Sequence, residues 1–130
     1  MTNLCPEIFR KRVMLEGLYT IEPPNKLFIR DFLNSLSVHL DMHPLTDVLV
    51  FSPDEHSNLH HGIAGFIPWV ESGCSLYTWK TQKFFTLEIY SCKDFSVEAC
   101  LEFVTKKMQA EQLTTKILHS SSASNSNESI

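Results

Sequence analysis

Between Ile63 and Tyr90 three strand-length runs follow one another with only short steps between them. Ile63 to Val70 is the first, Cys74 to Trp79 the second and Phe84 to Tyr90 the third. Connections this short join antiparallel neighbours, because a parallel pair needs a crossover of a dozen or more residues. In the third run Phe85, Leu87 and Ile89 share one face, and Phe84, Thr86, Glu88 and Tyr90 share the other. Ser75, Tyr77 and Trp79 likewise share a face of the second run. A meander this apolar must be covered on at least one side, so the flanking segments have to supply a second layer.

They do. Phe28, Phe32, Leu36 and Leu40 recur every four residues, and Ile29 and Leu33 widen the stripe. Asn25 is placed to cap this helix, and Asp41-Met42-His43-Pro44 ends it. Val97, Cys100, Leu101, Val104 and Met108 mark a second helix, capped by Asp94 or Ser96, with Lys106-Lys107 suiting its C-terminal end. Arg12 to Thr20 reads as a first strand stopped by Pro23-Pro24, Asp47 to Phe51 as a short buried strand, and Thr114 to Leu118 as a last one. Ser52 to His61 reads as a loop, and Pro68 inside its run implies a sheet edge or a bulge. The order is β-α-β-β-β-α-β. The expected fold is a two-layer α+β sandwich, mainly antiparallel, with both helices on one face, over residues 10–118. The Ser/Asn-rich segment 119–130 is expected to be a disordered tail. The sheet face away from the helices needs its own cover, which points to a homodimer.

Bulk properties exclude some classes. A net charge of -4 over 130 residues argues against a nucleic-acid partner, which would need a basic face to meet phosphates. No apolar run is long enough to span a membrane, and Met1 to Phe9 lacks the core of a signal peptide, so the expected location is the cytoplasm. The four cysteines, Cys5, Cys74, Cys92 and Cys100, form no C-x-x-C pair and read as free thiols in a reducing compartment.

Three groups of residues carry chemistry. Glu71-Ser72-Gly73 sits between two strands, where Gly73 offers unusual backbone angles and Ser72 is an ordinary turn residue. A serine at a strained turn can also attack the carbonyl before it and form an ester. Elimination from that ester cuts the chain, and hydrolysis leaves a pyruvoyl ketone. Such a ketone condenses with a substrate amine and serves as an electron sink for decarboxylation. His56, His60 and His61, with Asp54 and Glu55 nearby, have spacing compatible with a metal, against the plainer reading of a solvated loop. His39 and His43 are expected to help cap the first helix. Cys92 is followed by Lys93, a neighbour able to lower a thiol pKa, against the plainer reading of a buried structural cysteine.

The segment Gly62-Ile63-Ala64-Gly65-Phe66-Ile67-Pro68-Trp69-Val70-Glu71-Ser72-Gly73-Cys74-Ser75-Leu76-Tyr77-Thr78-Trp79, with Leu87-Glu88-Ile89-Tyr90-Ser91-Cys92 after it, resembles the short prokaryotic S-adenosylmethionine decarboxylases. Lys11 to Tyr19 resembles that family's first strand more loosely. The resemblance implies self-cleavage between Glu71 and Ser72, with Ser72 becoming the pyruvoyl cofactor. It implies that Cys92 is the catalytic cysteine that reprotonates the product carbon. The family's processing histidine falls on Tyr77 and its processing serine on Ala64. The glutamate expected to hold the substrate ribose falls on Thr81, after Lys80 in place of a proline, and the histidine after the cleavage serine falls on Gly73.

The resemblance therefore implies S-adenosylmethionine as substrate and a place in polyamine (spermidine) synthesis. Two alternatives stay open on these replacements. One is an uncleaved, inactive homologue that binds or regulates an active paralogue; the other is a pyruvoyl decarboxylase of a different amine.

Overall fold

The strand that holds the sheet together is β1, Arg10–Leu18, which pairs antiparallel with strands on both sides. The computed structural model describes residues 2–57 and 59–120. After β1 come α1 (Lys26–His39), β2 (Leu49–Phe51), β3 (Ala64–Trp69), β4 (Ser72–Trp79), β5 (Phe84–Ser91), α2 (Val97–Met108) and β6 (Gln112–Ser120). The six strands form one sheet in the order β2-β3-β4-β5-β1-β6, every pairing antiparallel. This is the α+β sandwich expected from the periodicities.

The boundaries shift for physical reasons. β1 begins two residues early, at Arg10, and ends at Leu18; Tyr19 then bonds through its N–H to the Lys83 carbonyl, outside the ladder. β6 runs on through His119 and Ser120, which extends the domain past residue 118. The rest of the expected tail, 121–130, lies outside the described residues. The segment read as a loop contains one short 3₁₀ turn, Pro53–Glu55, with Ser52 as its cap.

Alternation decides which side is dry. Val13 and Leu15 of β1, Ile67 and Trp69 of β3, Cys74 and Leu76 of β4, and Phe85, Leu87 and Ile89 of β5 are buried. Ile29, Leu33 and Leu36 of α1 and Cys100 and Val104 of α2 are fully buried and belong to the same core. Each such aliphatic side chain contributes about 1.5–3 kcal/mol on leaving water. Phe32 and Phe103 meet edge-on at 5.3 Å, where the two helices touch. Asn25 caps α1 by accepting the Phe28 N–H, and Ser96, rather than Asp94, caps α2 by accepting that of Ala99.

Pro68 is accommodated without a bulge. β3 has β2 on one side and β4 on the other, but β2 pairs only as far as Phe66. Pro68 therefore lies past the end of β2, where its missing N–H breaks no ladder bond.

Candidate active site

The connection between β3 and β4 is two residues, Val70 and Glu71, and Ser72 is the first residue of β4. The sequence suggested that Gly73 would take the unusual backbone angle. The structure puts it on Ser72, at φ 143°, and no glycine has positive φ. A non-glycine residue held there costs on the order of 1–3 kcal/mol. Gly73 is small for another reason. A side chain there would meet the Ile67 carbonyl at 3.0 Å and the Phe66 ring at 3.2 Å.

Ser72 pairs with Ser91 at the end of β5, which brings Cys92 beside the Glu71–Ser72 peptide. The Cys92 N–H donates to the Glu71 carbonyl at 2.9 Å, and its thiol reaches the same oxygen at 3.4 Å. Two donors thus converge on the carbonyl whose carbon Ser72 would attack. Cys92 is exposed, so the plainer reading of a buried thiol does not hold.

The Glu71 side chain is held separately. His43 donates to it twice, from its backbone N–H at 2.9 Å and from Nδ1 at 2.7 Å. The carboxylate is largely covered, whereas the imidazole is mostly exposed. Burial alone pushes the Glu71 carboxyl up, but the His43 hydrogen bonds and charge hold it below its ordinary value. His43 therefore does not serve as the cap expected from its position after α1.

Lys93 also departs from expectation. Its ammonium bonds the Asp41 carbonyl and reaches Asp41 Oδ2 at 3.1 Å, so its hydrogen bonds go to Asp41 and not to the Cys92 thiol. Ser91, fully buried, donates to the Lys93 carbonyl at 2.7 Å and accepts the Lys93 N–H at 2.9 Å, which fixes the turn after Cys92.

Tyr77 lies elsewhere. It is five residues along β4 from Ser72, roughly 16 Å at about 3.3 Å per residue. Its cross-strand partner is Ala64, so the two replaced processing positions face each other at the far end of the hairpin. His60 is at that end too. It stacks on Trp79 at 4.3 Å and bonds the Thr78 carbonyl through Nε2 at 2.8 Å, so within one chain it is no base for Ser72. His61 approaches Asp54 at 3.8 Å, and among the described residues no three metal-binding side chains gather.

A cavity of about 600 Å³ opens from Ser72 along the sheet face away from the helices. Arg12, Phe66, Ser75, Glu88 and Tyr90 help line it, and the Arg12 guanidinium sits 4.1 Å from the centre of the Tyr90 ring. Sequence reasoning did not find Arg12, Glu88 or His43. Arg12 and Glu88 were readable only as outward positions on strands, and the His43–Glu71 contact spans 28 residues with no local signal.

The fold and this hairpin define a class: a two-layer α+β protein with a strained serine following a carbonyl held by a cysteine. Residues 23–121 match the family model described as S-adenosylmethionine decarboxylase, and the chain belongs to that family. It is similar in structure to the adenosylmethionine decarboxylase from Aquifex aeolicus VF5, with a TM-score of 0.69 over 88% of this chain and 92% of that one. At 14% identity this likeness establishes the fold. No curated protein sequence matches the chain.

Proposed function

We propose that Ser72 is the precursor of a pyruvoyl group and that the processed chain decarboxylates an α-amino acid, S-adenosylmethionine being the family's substrate. The observation that carries this reading is the Glu71 carbonyl, held by the Cys92 N–H and thiol while Ser72 sits at φ 143°. Ser72 Oγ adds to the Glu71 carbonyl carbon, and the Cys92 donors face the oxygen that takes up charge. The peptide C–N bond breaks, leaving an ester and an amine on Ser72. A base removes the Ser72 α-proton, the ester C–O bond breaks, and Glu71 departs as a carboxylate. Water then displaces the nitrogen as ammonia and leaves the ketone.

The residues present fit that group. Ser72 lines the cavity and the exposed Cys92 thiol stands next to it. The ketone supplies an electron sink for loss of carbon dioxide from a bound amino acid. Cys92, whose thiol and N–H meet the Glu71 carbonyl, would deliver a proton to the product carbon, and Arg12 and Glu88 give the cavity a charge of each sign for a zwitterionic substrate. In its own chain Tyr77 stands far from Ser72, so a role for it in processing would require a second copy to bring it there.

A second reading is favoured by Ala64 and Tyr77, which offer neither a serine hydroxyl nor an imidazole. Here the chain stays whole and acts as a binding or regulatory partner of an active paralogue. Intact-mass measurement separates the two. Two fragments split after Glu71, the second carrying a hydrazine-reactive ketone, support the first. A single whole chain sinks it and favours the second.

A further inference from the structure

The segment after α1 runs beside the candidate site and touches it from both sides. His43 accepts the Val70 N–H at its carbonyl, 2.8 Å, and Leu45 donates to the Pro68 carbonyl at 2.9 Å. Pro44 forms an isolated antiparallel bridge with Trp69. The segment is thereby laid along the end of β3, where Pro68 is paired with β4 but has no β2 partner. From this position His43 grips the Glu71 carboxylate through two donors, and Asp41 takes the Lys93 ammonium next to Cys92. Met42, buried, puts its sulfur 3.9 Å from Ser91 Oγ.

We propose that His43 is a positioning residue for the Glu71–Ser72 bond: by clamping the Glu71 carboxylate it keeps the Glu71 carbonyl on the Cys92 donors. The inference rests on the self-cleavage reading for its role in the reaction, but the clamp itself is a statement about geometry. A two-residue connection has little internal freedom, so fixing the Glu71 side chain also fixes the rotation of its carbonyl. The backbone donor is present whatever residue stands at 43. The imidazole Nδ1 is the part that depends on histidine, and an asparagine amide can reproduce a donor at that distance from the chain. His43 does not touch the scissile atoms. It acts through Glu71, with Lys93–Asp41 tying the Cys92 turn to the same segment.

Two measurements test the clamp, and the second does not need the chain to cleave. In the first, His43→Ala and His43→Asn are made in the full chain, and the appearance of the two fragments is timed by mass. The alanine variant is expected to cleave about tenfold more slowly, the scale set by losing a hydrogen bond to a charged group. The asparagine variant should stay near the original rate.

In the second, both substitutions are placed in a Ser72→Ala chain, which cannot cut itself. Exchange of the Cys92 amide hydrogen is then followed by NMR. It should speed up about tenfold in the alanine variant, again the scale of one such hydrogen bond. Core amides such as that of Leu87 should be unchanged, and asparagine should restore protection.

If the parent chain never cleaves, the self-cleavage reading fails while the exchange result still judges the clamp. Unchanged Cys92 exchange in His43→Ala, or an asparagine variant as impaired as alanine, overturns the proposal.

Discussion

Trp69 donates its indole N–H to Ser37 Oγ at 2.8 Å, and both residues are buried. Ser37 in turn donates to the Leu33 carbonyl one turn back along α1, at 2.7 Å. One hydroxyl thus satisfies a buried indole and joins the first helix to the last residue of β3, directly before the Val70–Glu71 connection. Ser37→Ala leaves the indole without its partner, and the expected loss is about 1–3 kcal/mol. Urea unfolding followed by tryptophan fluorescence reads it. An unchanged midpoint would mean that the indole finds another acceptor.

Gly62 has no room for a side chain. A Cβ built there falls 1.8 Å from the Thr78 carbonyl oxygen and 2.7 Å from its carbon, and backbone cannot swing aside as a flexible side chain can. Gly62→Ala is expected to cost about 1–3 kcal/mol or more. At Gly73 the nearest approach is 3.0 Å, so Gly73→Ala should cost less. Thermal unfolding of the two variants side by side checks the ranking, and equal melting temperatures would contradict it.

The cysteines should divide into two classes. Burial holds the Cys74 thiol well above its usual range, with Cys100 nearby adding to the effect, and burial pushes Cys100 up to about 12. Cys92 is exposed and Cys5 partly so. In the native chain at mildly alkaline pH, a thiol reagent should label Cys92 and Cys5 while Cys74 and Cys100 wait for unfolding. Peptide mapping by mass assigns the sites. Early labelling of Cys100 would show that α2 opens locally.

Acid should weaken the clamp on Glu71. Burial raises this carboxyl, but His43 more than offsets it and the folded value lies below the ordinary 4.5. A group with a depressed folded pKa adds stability that is complete above its unfolded pKa. That contribution fades as pH falls through the folded value. Glu71→Gln should therefore destabilise the chain at neutral pH, and the difference should shrink below about pH 4. Denaturant unfolding of both chains across this range checks the sign. A gap that widens on acidification would refute it.

Much of the architecture could be read from periodicity, because one side of each element is dry. The stripe of Phe28, Phe32 and Leu36 and the alternation of Phe85, Leu87 and Ile89 follow directly from burial on a single helical face of the sheet. The approach of Ser72 and Cys92 is a matter of register, and the resemblance supplied it where spacing alone did not. His43 on Glu71 and Asp41 on Lys93 were not legible, because each joins loop residues distant in sequence whose side chains carry no periodic signal. The backbone angle of Ser72 was misassigned to Gly73 for a related reason. Glycine permits such an angle without requiring it, and here packing under Phe66 is what calls for the small residue.

The order of strands across the sheet has a consequence for a chain cut between Glu71 and Ser72. β1, β2 and β3 would belong to one piece and β4, β5 and β6 to the other, and the order β2-β3-β4-β5-β1-β6 interleaves them. β1 would be enclosed on both sides by strands of the second piece. The nicked protein would be a woven complex of two polypeptides, held by three ladders at once. Its melting would acquire the dilution dependence of an association equilibrium within each woven pair, which the uncut chain, folding as a single polypeptide, does not require.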